Sequence, residues 1–97
     1  MPTYIMLLKL TEQGSKNIKD APARVEQASK AIEALGGKFI GFYTVMGEYD
    51  YVCISEAPSD EAVMTFLLAL GSLGNVKTTT MKAFTKEQFG DLIKKLP

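Results

Sequence analysis

The stretch Val45-Met46-Gly47-Glu48-Tyr49-Asp50-Tyr51-Val52 decides the fold, because two runs of apolar and β-branched residues meet there around Gly47-Glu48. Glycine at the first position of a two-residue turn is typical of a type II′ β-hairpin. Such a turn pairs Met46 with Tyr49 and fixes the register of the strands on either side. We therefore expect a hairpin whose strands span residues 38–46 and 49–55.

This register sorts the hairpin side chains onto the two faces of a sheet, because cross-strand partners share a face. We expect Asp50, Val52 and Ile54 to face the helices of the domain, together with Phe39, Gly41, Tyr43 and Val45. The open face would then carry Ile40, Phe42, Thr44, Met46, Tyr49, Tyr51 and Cys53, with Ile5 and Leu7 from the first strand. An apolar open face of this size is unusual for a monomer. It predicts a homodimer packed sheet against sheet, with any ligand cavity between the sheets or at their rim.

The remaining elements complete an α+β fold. A first strand is expected over residues 3–10, followed by a loop over 11–15, and a fourth strand over 76–84. Helices are expected to begin at Asp20 or Ala21, at Pro58, and at Thr85, where Thr85 and Gln88 match a capping box. The order predicts a ferredoxin-like βαββαβ domain with a four-stranded antiparallel sheet, two helices on one face and an extra C-terminal helix. Strands one and three would lie in the centre.

Length and charge bound the possible functions. The 97 residues are 46% hydrophobic and 23% charged, which indicates a single domain over residues 1–97. Eleven basic and eleven acidic side chains give no net charge, so we expect no nucleic-acid partner. There is no basic leader, and no apolar segment reaches the roughly 20 residues that span a bilayer. We therefore expect no membrane partner and a cytoplasmic location.

The composition also excludes several chemistries. The chain has no histidine and a single cysteine, Cys53, so an internal disulfide, a His-ligated metal or haem, and Ser-His-Asp or Cys-His catalysis are ruled out. The acidic residues are scattered and show no calcium-loop spacing. We expect no metal and no cofactor. Cys53 lies in the middle of a strand, where a thiol usually serves as a small buried hydrophobe.

Several motifs, in order along nearly the whole chain, resemble the GYD domain family. Its Gly-x-Tyr-Asp signature corresponds to Gly47, Tyr49 and Asp50. The other shared motifs are Thr11-Glu12-Gln13-Gly14, Ile18-Lys19, Pro22 with Arg24, and Glu56-Ala57-Pro58. The resemblance implies a small bacterial or archaeal protein related to the dimeric α+β barrels, and it implies no particular activity.

The candidate site gathers polar residues at one end of the sheet. Tyr49, Asp50 and Arg24 could bind a small molecule there, with Lys9, Lys19 and the first amides of helix one as anion binders. Tyr51 could join Tyr49 in stacking on an aromatic ligand, although interface packing explains both rings equally. The favoured alternative is structural. Asp50 would pair with Arg24 or accept the amides of helix one, and so fix the hairpin against that helix.

Three functions remain open. The preferred one is a dimeric small-molecule binding or sensing module without enzymatic activity, because no nucleophile with its base, no metal set and no phosphate loop is visible. The alternative is a cofactor-free enzyme, in which Asp50 or Glu48 acts as a base beside a tyrosine. The third is a purely structural dimer.

Overall fold

The computed structural model describes residues 1–97, which form four strands, four α-helices and one short 3₁₀ turn. Along the chain these are β1 (Thr3–Leu10), α1 (Glu12–Lys16), the 3₁₀ turn (Ile18–Asp20), α2 (Ala21–Ala34), β2 (Lys38–Thr44), β3 (Tyr51–Glu56), α3 (Asp60–Ser72), β4 (Val76–Ala83) and α4 (Lys86–Lys94). The strands form one antiparallel sheet in the order β2-β3-β1-β4. Strands one and three lie in the centre, as the sequence predicts.

One face of the sheet carries the core. Alternate residues of β1 point to this face, and Tyr4, Met6 and Leu8 are all buried. They pack with Ile32 of α2 and Phe66 of α3 in a single apolar cluster. Burial of these side chains is the main source of stability, at about 1.5–3 kcal/mol for each fully buried large side chain. Both long helices therefore cover the same face, which gives the expected α+β, ferredoxin-like arrangement.

The hairpin differs from the predicted two-residue turn. The ladder between β2 and β3 ends at Thr44 and Tyr51, so residues 45–50 form a six-residue loop. The predicted register is correct next to the loop, where Phe42 pairs with Cys53. The two-residue turn is not formed, because the backbone N–H of Asp50 donates to Leu8 O of β1. One hydrogen bond of the predicted register is retained at the base of the loop, where Val45 N donates to Asp50 O at 2.9 Å.

The assignment of the hairpin residues to the two faces is also wrong. Met6 pairs with Cys53, and Leu8 with Tyr51, so Tyr51, Cys53 and Phe42 lie on the helix side of the sheet. Val52, Ile54 and Tyr43 lie on the open face with Ile5, Leu7 and Met81. Both faces of the hairpin are apolar, so only the pairing with β1 decides which one meets the helices. Phe39 is the exception, because a register shift between Phe39 and Gly41 keeps it on the core side, where it was predicted.

The segment after β1 is a short helix rather than the expected loop. Thr11 caps α1 by accepting a hydrogen bond from Gly14 N at 3.1 Å, and its hydroxyl donates to Gly74 O at 2.6 Å. Thr11 N donates to Asn75 O at 3.0 Å. These bonds hold α1 against the start of β4 and stabilise a helix of five residues that would be marginal alone.

The C-terminal helix projects from the body of the domain. The predicted capping box is present, since Gln88 N donates to Thr85 Oγ1 and Thr85 N donates to Gln88 Oε1. The apolar side chains of this segment, Phe89, Leu92, Ile93 and Leu96, remain 45–65% exposed. The molecule is correspondingly elongated, with extents of 53 × 30 × 18 Å. None of its helices combines the length and the hydropathy that a membrane crossing requires.

Candidate functional site

Asp50 fastens the loop over residues 45–50 to the end of β1. Its backbone N–H donates to Leu8 O at 2.9 Å, and its carboxylate Oδ2 accepts from Leu10 N at 2.8 Å. A carboxylate that accepts a backbone amide forms a charge-assisted hydrogen bond. The predicted partners of Asp50 were Arg24 and the amides of helix one. The structure gives it the amide of a neighbouring strand instead, because β1 and not a helix lies beside the loop.

Three of the predicted site residues lie together beside this bond. Lys9 Nζ is 3.5 Å from Glu48 Oε1 and 5.3 Å from the centre of the Tyr49 ring. We call Lys9, Glu48 and Tyr49 the sheet-end cluster. The Lys9 and Glu48 side chains are 46% and 73% exposed, so solvent screens their attraction and the pair adds little stability. The sheet-end cluster offers a cation, an anion and an aromatic ring to solvent at the margin of the open face.

Arg24 does not belong to this cluster. Its Nη1 donates to Asn17 O at 2.8 Å, and its Nη2 lies 3.4 Å from Gly14 O. The guanidinium thus links α2 to the C-terminal end of α1, and no carboxylate lies within 4.0 Å of it. Lys19 lies in the exposed 3₁₀ turn and forms no ion pair. The single predicted site is therefore divided between two places.

Tyr51 and Cys53 belong to the core and not to an open-face site. The Tyr51 ring packs against Phe42, with ring centres 5.1 Å apart. Cys53 Sγ lies 3.3 Å from Ser55 Oγ, and both residues are buried. Burial raises the pKa of the Cys53 thiol, and the contact with Ser55 only partly offsets this. A buried thiol with a raised pKa is a weak nucleophile, which supports the expected structural role.

The largest cavity that adjoins the core is a groove between α2 and α3, with a volume of about 520 Å³. It exists because small side chains face each other across the two helices, including Ala28 and Ala31 on α2 and Ala69 on α3. Phe66, Leu70 and Val76 add apolar walls. Gln27, Ser72 and Asn75 contribute uncharged polar groups, and Arg24 is the one charged residue of the lining. The alanines were visible in the sequence, but the distance between the helices was not.

A smaller cavity of about 60 Å³ adjoins this groove inside the core. The two share five lining residues, which are Arg24, Ala28, Phe66, Leu70 and Val76. The other residues around the smaller cavity are hydrophobic, and among them only Tyr51 and Cys53 carry a hydroxyl or a thiol. Water would find few hydrogen-bond partners in a cavity of this kind.

A second polar cluster, which the sequence interpretation missed, lies at the opposite end of β1. The Tyr4 hydroxyl donates to Asp60 Oδ1, and Lys82 Nζ is 3.2 Å from the same oxygen. Burial and the neighbouring Asp60 raise the pKa of Tyr4 to about 12. The hydrogen bond from Tyr4, followed by that from Lys82, lowers the pKa of Asp60. The available signal was Tyr4 in a buried strand, since a buried tyrosine hydroxyl needs a partner.

Comparison with known proteins identifies relatives along the whole chain. The model of the GYD domain family matches residues 4–93. A protein of Thermus thermophilus, named glutamine synthetase and cystathionine beta-lyase binding protein, is 35% identical over 97 residues. That alignment covers 99% of each of the two chains.

Solved structures share the fold. The feast or famine regulatory protein of Mycobacterium tuberculosis, in complex with L-methionine, superposes with a TM-score of 0.67 at 21% identity. The match covers 89% of this chain and 52% of the regulator, so the chain spans about half the length of that protein. TTHA0845 from Thermus thermophilus gives a TM-score of 0.57 at 25% identity, covering 88% of this chain and 95% of the other.

Proposed function

The chain belongs to the GYD domain family, and from this premise we propose that it is a small-molecule binding or sensing module that works as a homodimer. The groove between α2 and α3 is the observation that carries the proposal. Its volume of about 520 Å³ lies within the range of small-molecule sites, roughly 300–1,000 Å³. Mostly apolar walls with a few polar groups are also typical of such sites.

The residues around the groove support binding rather than catalysis. The lining contains no carboxylate, cysteine or lysine that could act as a base or nucleophile in the groove itself. The cofactor-free enzyme remains a weaker alternative, because Asp50 is engaged with Leu10 N and only Glu48 is left as an exposed acid beside Tyr49. We also propose that the protein is located in the cytoplasm.

The homodimer is supported by the open face of the sheet. Ile5, Leu7, Val52 and Ile54 lie on this face at the centre of the sheet, and Tyr43 and Met81 extend it toward the two edges. Both long helices are on the other side, so a second copy could cover this face through a two-fold sheet-to-sheet contact. The sheet-end cluster would then lie at the rim of the interface. A purely structural dimer would use the same contact without a ligand.

Protein binding is a second candidate, and a different surface favours it. This surface consists of apolar side chains on the two helices α4 and α3 that are 45–67% exposed, namely Phe89, Leu92 and Ile93 on α4 and Met64 and Leu68 on α3. Exposed apolar helix faces are frequent protein-docking surfaces. The Thermus thermophilus relative is named for binding glutamine synthetase and cystathionine beta-lyase. We propose these two enzymes as the first protein partners to test.

Native mass spectrometry combined with thermal-shift screening tests the main proposal. The purified protein is screened against a panel of amino acids, keto acids and short-chain acids, because one structural neighbour carries L-methionine in its structure. A copurifying small molecule, or a saturable rise in Tm with one class of compound, is the expected result. Absence of both, together with capture of the two named enzymes by the purified protein, would favour the protein-binding function instead.

A further inference from the structure

We propose that the groove between α2 and α3 binds amphiphilic monocarboxylates, with the carboxylate on Arg24 and the apolar tail along Ala28, Phe66 and Leu70. The inference rests on the proposed small-molecule function and adds to it the chemical class and the orientation of the ligand. Three observations carry it: an arginine without an anion, an apolar path that leads inward from it, and the absence of any acid in the groove.

Arg24 is half-buried at the groove and has no anionic partner, since no carboxylate lies within 4.0 Å of its guanidinium. A guanidinium carries five N–H donors in a planar fork. Its protein contacts are Asn17 O at 2.8 Å and Gly14 O at 3.4 Å, so further donors remain for a ligand. The two carbonyls hold the side chain in place without neutralising it. Carboxylates and phosphates both match the planar donors of a guanidinium, and a carboxylate sets one negative charge against its single positive charge.

The path away from Arg24 is apolar. Arg24, Ala28, Phe66, Leu70 and Val76 line both the groove and the inner cavity of about 60 Å³. The inner cavity has no other charged lining residue, and Tyr51 and Cys53 are the only other side chains of its lining that carry a polar group. A hydrocarbon or aromatic tail that follows these shared walls would fill space that water does not stabilise. The groove can thus bind an amphiphilic ligand in one orientation, with its charged end at Arg24 and its apolar end toward the inner cavity.

The rest of the lining determines which ligands are disfavoured. Gln27, Ser72 and Asn75 are the remaining polar residues, and all of them are uncharged. An ammonium group in the groove would meet the Arg24 charge and no acid, and a second anionic group would meet no second cation. Simple monocarboxylates are therefore favoured over amines, dicarboxylates and phosphorylated compounds.

Isothermal titration calorimetry with three probes of one chain length tests the inference. Octanoate, octanol and octylamine share the tail and differ in the head group. We expect octanoate to bind at least about tenfold more tightly than octanol, since hydrogen bonds to a charged group are worth more than neutral ones. Octylamine should bind more weakly than both.

Three variants locate the site. Arg24→Met removes the charge at similar length, and we expect it to abolish the preference for octanoate while octanol binding is retained. Lys19→Met is the matched control, because it removes a nearby exposed cation that does not line the groove, and it should leave the preference intact. Ala69→Phe fills the groove from α3 and should weaken all three probes. Circular dichroism checks that each variant is folded, and Ala69→Phe keeps the test valid if Arg24→Met unfolds.

The outcomes separate this inference from the proposed function. Equal affinity for octanoate and octanol, or a preference that survives in folded Arg24→Met, overturns the carboxylate assignment. Probe binding that is unaffected by Ala69→Phe overturns the groove as the site, while small-molecule binding itself stands. If Ala69→Phe changes the oligomeric state, the groove is an interface and the inference is wrong. A protein that binds none of the probes and no compound of the wider panel refutes the proposed function as well.

Discussion

The amide of Leu10 donates to the carboxylate of Asp50 across 2.8 Å, at the point where the backbone ladder between β1 and β3 has ended. The last ladder pair is Leu8 with Tyr51, and Asp50 N also donates to Leu8 O at 2.9 Å. The side chain of Asp50 therefore continues the pairing of β1 after the backbone of β3 turns away. We therefore expect the aspartate of the Gly-x-Tyr-Asp signature to act structurally, by holding the loop over residues 45–50 against β1.

Replacing Asp50 should destabilise the domain. Asp50→Ala leaves Leu10 N without its acceptor, and we expect the free energy of unfolding to fall by about 1–3 kcal/mol. Asp50→Asn keeps an acceptor oxygen but loses the charge, so its effect should be smaller, about 1 kcal/mol. Urea unfolding at pH 7 measures both. Glu48→Gln is the control, since its exposed ion pair with Lys9 should contribute less than about 1 kcal/mol. An unchanged stability in Asp50→Ala with altered ligand binding would show a functional role instead.

The close approach of α1 to β4 requires glycine at position 14. A Cβ at Gly14 would lie 2.1 Å from Asn75 O and 3.1 Å from Leu10 Cδ2, so backbone atoms would have to move. We expect Gly14→Ala to lower the free energy of unfolding by about 3 kcal/mol. Gly71→Ala is the matched control, because it lies in α3 with nothing within 4 Å of its Cβ position. It should raise stability by about 0.5–1 kcal/mol. Equal effects of the two substitutions in urea unfolding would contradict this account.

Local patterns predicted the elements well, because the forces that define them act over a few residues. The capping box at Thr85, the start of α2 near Pro22 and the pairing of Phe42 with Cys53 all follow from short-range geometry. The five-residue helix α1 was missed for the opposite reason. Its stability comes from bonds between Thr11 and residues 74–75, which are distant in sequence.

The site was predicted less well, since its geometry depends on contacts between distant elements. Both faces of the hairpin are apolar, so alternation alone could not show that Tyr51 and Cys53 face the helices. Their side of the sheet is set by pairing with β1, more than 40 residues earlier. The groove likewise depends on the spacing between α2 and α3. Only Lys9, Glu48, Tyr49 and Asp50 were correctly expected together, because three of them are neighbours in sequence.

Asp60 should contribute stability that acid removes. Its hydrogen bond from Tyr4 and the nearby Lys82 lower its pKa in the folded state. The contribution is therefore complete above the unfolded-state pKa, about 3.9, and is lost as the pH falls through the lower folded-state value. We expect the stability difference between the wild type and Asp60→Asn to shrink as the pH is lowered from 6 to 2, measured by thermal unfolding. Glu61→Gln, in the same first turn of α3, is the control and should show a smaller change. A difference independent of pH would argue against this role.

The stability that the Tyr4 hydroxyl contributes to the folded domain should be lost at high pH. Because its folded-state pKa is raised to about 12, its contribution is complete below the unfolded-state value of about 10 and is lost as the pH rises between these two values. Tyr4→Phe has no hydroxyl to ionise at this position. The stability of the wild type should therefore fall toward that of Tyr4→Phe as the pH rises above 10. Urea unfolding between pH 8 and 11.5 measures the difference. Tyr43→Phe changes a tyrosine that is exposed in the single chain, and it should follow the wild-type curve when both are extrapolated to low protein concentration. Parallel curves for Tyr4→Phe and the wild type would show that the buried hydroxyl has no such effect.

The open face of the sheet should mediate dimerisation. Tyr43 and Met81 lie on this face and are 60% and 44% exposed in the single chain. We expect the wild type to sediment as a dimer at micromolar concentration and the double variant Tyr43→Glu, Met81→Lys to sediment as a monomer. The unfolding midpoint of the double variant should be close to that of the wild type when both are extrapolated to low protein concentration. Both side chains are already accessible to solvent in the monomer, so replacing them removes no contact within the chain.

A matched substitution on the other side of the molecule separates the two exposed apolar surfaces. Met64→Lys with Leu68→Lys changes exposed residues of α3, away from the open sheet face, and should leave the dimer intact. If this control dissociates the dimer and the open-face variant does not, the helices form the contact instead. A wild-type protein that is monomeric throughout the micromolar range would remove the dimer altogether.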